Sequence, residues 1–300
     1  MKLLQKYKNS GVQQEIKDVF YLVVLQGLNY VAPLLVLPYL MIVLGAEKFG
    51  YIGFAQSVCT YLMILVDFGF NLSATKRIAL AKENPEELNK IFSATVGAKV
   101  VLLGISFFCF LLLLLVPQFE VYRSTMIIFF GIVIANAFSF FWLFQGLGKI
   151  RVISIINTVI KFLIYPLTFF LVRSSADFYI AAFLQTFVVV LTTLVTIVYI
   201  RYNQMASLVK VSFFQIKEEL KESLPIFLSS AATSVYTASF VVVLGFFATA
   251  SEVGHYSVAD RLMRAVTLIT FIPLSQAFYP KISRMAKENM EQAKQLLKKI

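Results

Sequence analysis

Charge, cysteine and histidine are all scarce in this 300-residue sequence, and each scarcity removes a class of protein. Charged residues make up 14% of the chain, against about 25% in soluble domains, too few to build a water-exposed surface. The two cysteines, Cys59 and Cys109, lie far apart within apolar stretches. They offer neither a disulfide framework nor a metal-ligand spacing, and both read as packing residues. A single histidine, His255, excludes a histidine-based metal cluster. No metal, cofactor or catalytic residue is expected.

What the chain has instead is apolar length. Hydrophobic residues are 59% of it, mean hydropathy is +0.80, and Phe and Tyr contribute 30 and 14 residues. That surplus suits lipid-facing surfaces and the aromatic belts at membrane interfaces. A crossing needs roughly 20 apolar residues. Such runs occur near 19–43, 49–73, 91–116, 122–144, 151–172, 177–200, 224–248 and 254–280. The expected fold is therefore an all-α polytopic membrane protein with about eight transmembrane helices. The first run holds Gly27, Pro33 and Pro38 and has no small-residue cleavage site behind it, so it reads as a retained helix rather than a signal peptide.

Basic residues alternate by loop. Twenty fall in the N-terminal arm, after spans two, four and six, and after span eight, whereas the opposite loops hold only Lys48, Arg123 and Arg173. The positive-inside rule then places both termini in the cytoplasm. The net charge of +11 is dispersed among short loops together with Glu83, Glu86, Glu87, Glu218 and Glu219. It is a topology signal, and no nucleic-acid partner is expected. Residues 3–18 read equally as a short interfacial helix meeting anionic lipid headgroups or as a frayed arm.

An internal repeat organises the chain. Val43-Leu44-Gly45 followed by Phe49-Gly50-Tyr51 returns as Val243-Leu244-Gly245 followed by Val253-Gly254-His255, with a linker four residues longer. The six spans between the copies describe a six-helix unit repeated in the same orientation, as in two-lobed transporters. The expected organisation is an arm at 1–18, a six-helix lobe at 19–200, a cytoplasmic linker at 201–223 and the start of a second lobe with its tail at 224–300. A complete second unit would end beyond about residue 400, so the chain reads as unfinished. Its last stretch, Glu288 to Ile300, reads as an amphipathic lead-in to a ninth helix.

Several local motifs occur in a telling order. They are Gln26-Gly27-Leu28-Asn29-Tyr30, Leu37-Pro38-Tyr39, Asp67-Phe68-Gly69-Phe70-Asn71 with Ser73-Ala74-Thr75, Trp142-Leu143-Phe144-Gln145-Gly146, Leu224-Pro225, Gly254-His255-Tyr256-Ser257, Ala259-Asp260-Arg261 and Tyr279-Pro280. In this order they resemble the Wzx-type O-antigen and capsule flippases, the polysaccharide-transport branch of the superfamily that includes multidrug and toxin extrusion transporters. The resemblance implies a protein of the bacterial inner membrane that moves a polyprenyl-diphosphate-linked oligosaccharide between leaflets by alternating access. It also implies membrane lipids, a coupling ion (H+ or Na+) and other polysaccharide-assembly proteins as partners.

Such a substrate needs a polar, cationic cavity. Within the spans stand Lys99, Lys161, Arg261 and Arg264 against Asp67 and Asp260. Lys161 lies near the membrane midplane with no acid within a helical turn, and Asn157 is one turn away. Asn157 is a candidate substrate contact, and Lys161 reads as a contact to substrate or ion, as the partner of a group on another helix, or as a snorkelling side chain. Asp260 and Arg264 are spaced to neutralise each other, so a structural ion pair rivals a role for Arg264 or Arg261 on the diphosphate. Lys99 reads as a substrate contact or as a side chain snorkelling to headgroups. Asp67 reads as a partner of Lys76 or Arg77, as a cap near Gly69 and Asn71, or as an ion-coupling group. Trp142 is expected to anchor the interface, and His255 to sit in a short turn before span eight. Gln26, Asn29, Gln56 and Asn136 are expected to bond neighbouring helices.

Two alternatives remain. A membrane enzyme acting on lipid-linked sugars would need paired loop carboxylates that are not found. A cation or drug exporter of the same superfamily would predict an acidic cavity, and four bases against two acids point the other way.

Overall fold

The computed structural model describes the backbone of residues 2–264, 266 and 267, and the side chains of these from Leu34 onward apart from 235–238. All regular structure among the described residues is helical. The chain forms two compact units, Met1–His255 and Tyr256–Ile300. The expected tail at 281–300, with its lead-in helix, and most of the span at 254–280 lie outside the described residues.

Helix α1 (Lys2–Asp67) is interrupted at Gly45, whose φ of 73° and ψ of 167° leave the helical region and which therefore suits a residue without Cβ. A second break follows at Phe68 and Gly69, both at positive φ, before α2 (Phe70–Ala81). The apolar stretch Leu34–Ala81 contains 48 residues, roughly 70 Å of helix, more than two crossings of a ~30 Å hydrocarbon core. The breaks divide it into the end of span one, span two and a helix beyond.

Helix α3 (Pro85–Leu114) starts on Asn84, whose side chain accepts from the Glu87 amide, with Pro85 in the first turn, where its missing N–H costs nothing. A 3-10 turn (Pro117–Tyr122) leads into α4 (Arg123–Ala137) and the short α5 (Phe141–Gly146). Helix α6 (Ile150–Leu171) and α7 (Phe178–Tyr202) are joined through a capping box of Ser174 and Asp177. Helix α8 (Phe213–Phe247) opens on a second capping box, Ser212 with Gln215, and contains Pro225. Residues 250–264 are helical again.

Five helical stretches among the described residues are long and apolar enough to cross a membrane, and the bent pair within α8 makes a sixth. Their outward faces carry Val100, Phe108, Leu112, Val159, Leu163, Phe170, Phe183 and Val198 in exposed positions. Water would penalise such a surface and lipid does not. The chain is a multi-pass all-α membrane protein.

Span four departs from the continuous helix expected at 122–144. The chain breaks at Phe138–Phe140 between α4 and α5, and Trp142 is fully buried among Phe92 and Phe140 instead of anchoring the interface. Burying so large an apolar ring outweighs an interfacial position, at the cost of an indole N–H without a partner among the described residues. His255 also departs from expectation, because it lies inside the helical stretch 250–264 with Nδ1 2.9 Å from the Ser251 carbonyl oxygen.

The two repeat copies meet directly. A Cβ on Gly50 would collide with the Ala250 carbonyl oxygen, and one on Gly254 with that of Ala46. The reciprocity matches the repeat register, since Ala46 and Gly50 in one copy correspond to Ala250 and Gly254 in the other. Small residues let the two backbones touch.

Candidate functional site

Helix α6 places Ser154, Asn157, Lys161 and Tyr165 at intervals of three and four residues, so they share one face. That face lines a pocket of about 410 Å³, closed by Val188, Val189, Thr192 and Thr193 of α7, by Ile153, and by Ser139 and Phe141 at the joint between α4 and α5. Such a volume lies in the range of ligand sites, about 300–1,000 Å³. The lining is mixed, with hydroxyls, an amide and one ammonium set among aliphatic and aromatic walls. Thr192 donates to the Val188 carbonyl (2.7 Å) and Thr193 to that of Ala135 (3.3 Å), which fixes both hydroxyls while leaving their oxygens able to accept. The arrangement suits an anionic, hydroxyl-rich ligand, with Lys161 supplying the charge.

Lys161 and Asn157 are thus brought together as expected. Five polar pocket groups escaped the sequence reading: Ser154 and Tyr165, whose helical spacing from Lys161 was a usable signal, and Ser139, Thr192 and Thr193, which carry none.

Lys99 is not in this pocket and does not snorkel. Its side chain is 1% exposed, and its Nζ lies 3.5 Å from Oδ1 of Asp67. Asp67 also accepts from Asn71 Nδ2 at 2.6 Å. The partner expected for Asp67 was Lys76 or Arg77; the lysine of α3 takes that place because α3 packs against α1 here and Lys99 faces inward. Gln56 donates to Gln185 Oε1 across helices at 3.0 Å, whereas Asn136 keeps a buried oxygen without a partner among the described residues.

In the second unit, Arg264 Nε donates to Asp260 Oδ2 at 2.8 Å, one turn apart on one face. The local ion pair weighed above as a rival is therefore formed. Arg261 stands on the same helical stretch, half-buried.

Arg77 has a different role from a loop charge. It is bonded to Glu219, whose side chain is 1% exposed, and lies 3.3 Å from Glu222. Glu219 precedes the 224–248 span. Burial pushes its carboxyl up to about 7, against the opposing pull of Arg77, and its Oε2 is unpartnered among the described residues.

A multi-pass helical membrane protein with a polar pocket that carries one lysine between its crossing helices is the class that fold and site define. Its family follows from comparison: residues 16–286 match the family described as "Polysaccharide biosynthesis protein", and the chain belongs to it. The resemblance read from the sequence motifs agrees. The protein named "Putative O-antigen transporter" of Escherichia coli (strain K12) is 32% identical over 284 residues, covering 94% of this chain and 68% of that relative. A protein of the same name from Shigella dysenteriae is 34% identical over 276 residues, 90% of this chain and 67% of the relative. No solved structure matches the chain.

Proposed function

We propose that this chain translocates an oligosaccharide linked to a polyprenyl diphosphate across the bacterial inner membrane, with its N-terminus cytoplasmic and by alternating access. The observation that carries the reading is the α6–α7 pocket, in which Lys161 and Asn157 stand with five hydroxyl-bearing residues near the middle of the crossing helices. A diphosphate and sugars leave charges and hydroxyls unsolvated in hydrocarbon, and a chain that moves them must supply replacements. The family and the names of its relatives support the same substrate class. The loop basic residues support the orientation. Asp260 with Arg264, Arg261, and Asp67 with Lys99 are charges available for a second substrate contact or for coupling to an ion gradient.

Proteoliposomes carrying a fluorophore-tagged polyprenyl-diphosphate oligosaccharide test this reading. Loss of outer-leaflet fluorescence faster than in protein-free liposomes, and faster than for a tagged phosphatidylcholine, is the expected result. Equal rates for all three would overturn it.

A further inference from the structure

The contacts between α2 and α8 follow a regular register that packing alone does not require. Gly69 faces Ile226 and Phe227, with a Cβ there only 3.1 Å from the Phe227 amide nitrogen. One turn on, the Ser73 and Ser223 hydroxyls are 2.6 Å apart. One further turn on, Arg77 meets Glu219. Each step advances four residues along α2 and retreats four along α8, so the two helices run antiparallel and meet on a single rung per turn. Phe68 adds a stack on Phe227, with ring centroids 4.3 Å apart.

Three features make this seam releasable. Its lower two rungs are polar, and both can be exchanged for water, whereas a permanent interface is mostly apolar. Arg77 also lies 3.3 Å from Glu222, which is 57% exposed at the rim, so the ionic rung reaches the edge of the seam, where water can replace it. Pro225 interrupts the backbone bonding of α8 between the Ser223 and Phe227 rungs, where a helix bends most easily. Helix α2 is held from behind, because Thr75 donates to the Trp142 carbonyl and Gly146 lies against Ile78. Any opening of the seam therefore moves the start of α8 past a fixed α2, sliding it over α3, where Ile216 lies against Gly97.

We propose that the seam between α2 and the start of α8 is a closure that opens in each transport cycle, with Ser73, Arg77, Glu219 and Ser223 as its contact residues. The proposal rests on the transport reading above, and two readouts separate their failures. The first joins the seam: Ser73→Cys with Ser223→Cys, in a chain carrying Cys59→Ala and Cys109→Ala, is oxidised and assayed in the proteoliposomes. Flipping should fall by at least roughly tenfold on cross-linking and return on reduction. Unchanged flipping by the fully cross-linked chain would overturn the closure.

The second readout needs no transport. The rate at which a water-soluble maleimide labels Ser223→Cys, in the same cysteine-free background, should rise with Arg77→Glu. Adding Glu219→Arg should bring it back. Labelling rates that do not differ among these variants would overturn the proposal even if the chain flips. If the cysteine-free chain flips nothing, the transport reading fails, and the labelling series alone decides whether the seam opens.

Discussion

Gly50 and Gly254 pack so closely that each one's missing Cβ would overlap a backbone carbonyl of the other's helix, that of Ala250 and that of Ala46. A carbonyl cannot rotate aside as a side chain can, so any added atom must push the helices apart. Alanine at a helical glycine gains up to about 1 kcal/mol in propensity, while overpacking costs about 1–3 kcal/mol. Gly50→Ala and Gly254→Ala should therefore each lower the thermal unfolding midpoint of the purified protein in detergent. The double variant should fall short of the sum, because both strain one contact. Gly104→Ala, which meets nothing within 4 Å, should leave the midpoint unchanged or raise it.

The Lys99–Asp67 pair makes a separate prediction. Lys99 is fully enclosed, so removing Asp67 leaves a buried ammonium without its carboxylate. Asp67→Ala should destabilise by about 3–5 kcal/mol, whereas Asp67→Leu with Lys99→Leu should cost far less, since it removes both charges. Unfolding midpoints of Asp67→Ala and of the double variant check this. Equal losses for single and double variants would show that the pair contributes through shape rather than charge.

Glu219 links the seam to pH. Its carboxyl titrates near 7 in the closed seam and near about 4.3 when exposed to water. A raised pKa means that the closed form holds the proton more tightly, so closure gains stability as pH falls from about 7 towards 4.5 and loses it as pH rises through 7. The charged groups acting on it are Arg77 and Glu222, with Glu218 further off. Maleimide labelling of Ser223→Cys should therefore slow as pH is lowered from 8 to about 6, after correction for the reactivity of a free thiol. With Glu219→Gln the corrected rate should be slow and flat across that range.

The pocket hydroxyls should matter less than the pocket charge. A neutral hydrogen bond contributes about 1 kcal/mol and one to a charged group about 1.5–3 kcal/mol. Thr192→Val should slow flipping by less than about tenfold, and the change should depend on the sugar attached. Initial rates with two glycans of different hydroxyl content measure it.

Much of the architecture was legible because bilayer thickness ties span length to apolar run length, and the helices at Pro85–Leu114, Ile150–Leu171 and Phe178–Tyr202 lie where their apolar runs predict. The breaks were not legible. Phe138–Phe140 reads as part of a continuous span, and the turn there accompanies the burial of Trp142, a tertiary contact that the apolar pattern does not reveal. Lys161 and Asn157 could be singled out because a base at mid-membrane depth is costly and one turn joins it to an amide. The pairing of Lys99 with Asp67 could not, because 32 residues separate them and only packing of α3 on α1 brings them together. Glu219 was hidden for the same reason: it sits in a charged stretch that reads as solvated loop, and its burial comes from α2, 142 residues away in sequence.

The most direct test of the central claim is the flipping rate of Lys161→Ala and Lys161→Arg in proteoliposomes, with folding checked by unfolding midpoint. If the Lys161 ammonium meets the diphosphate, Lys161→Ala should slow flipping by roughly 10- to 100-fold, the loss of one hydrogen bond to a charged group, and Lys161→Arg should retain most of the rate. Wild-type flipping by a folded Lys161→Ala chain would contradict the account.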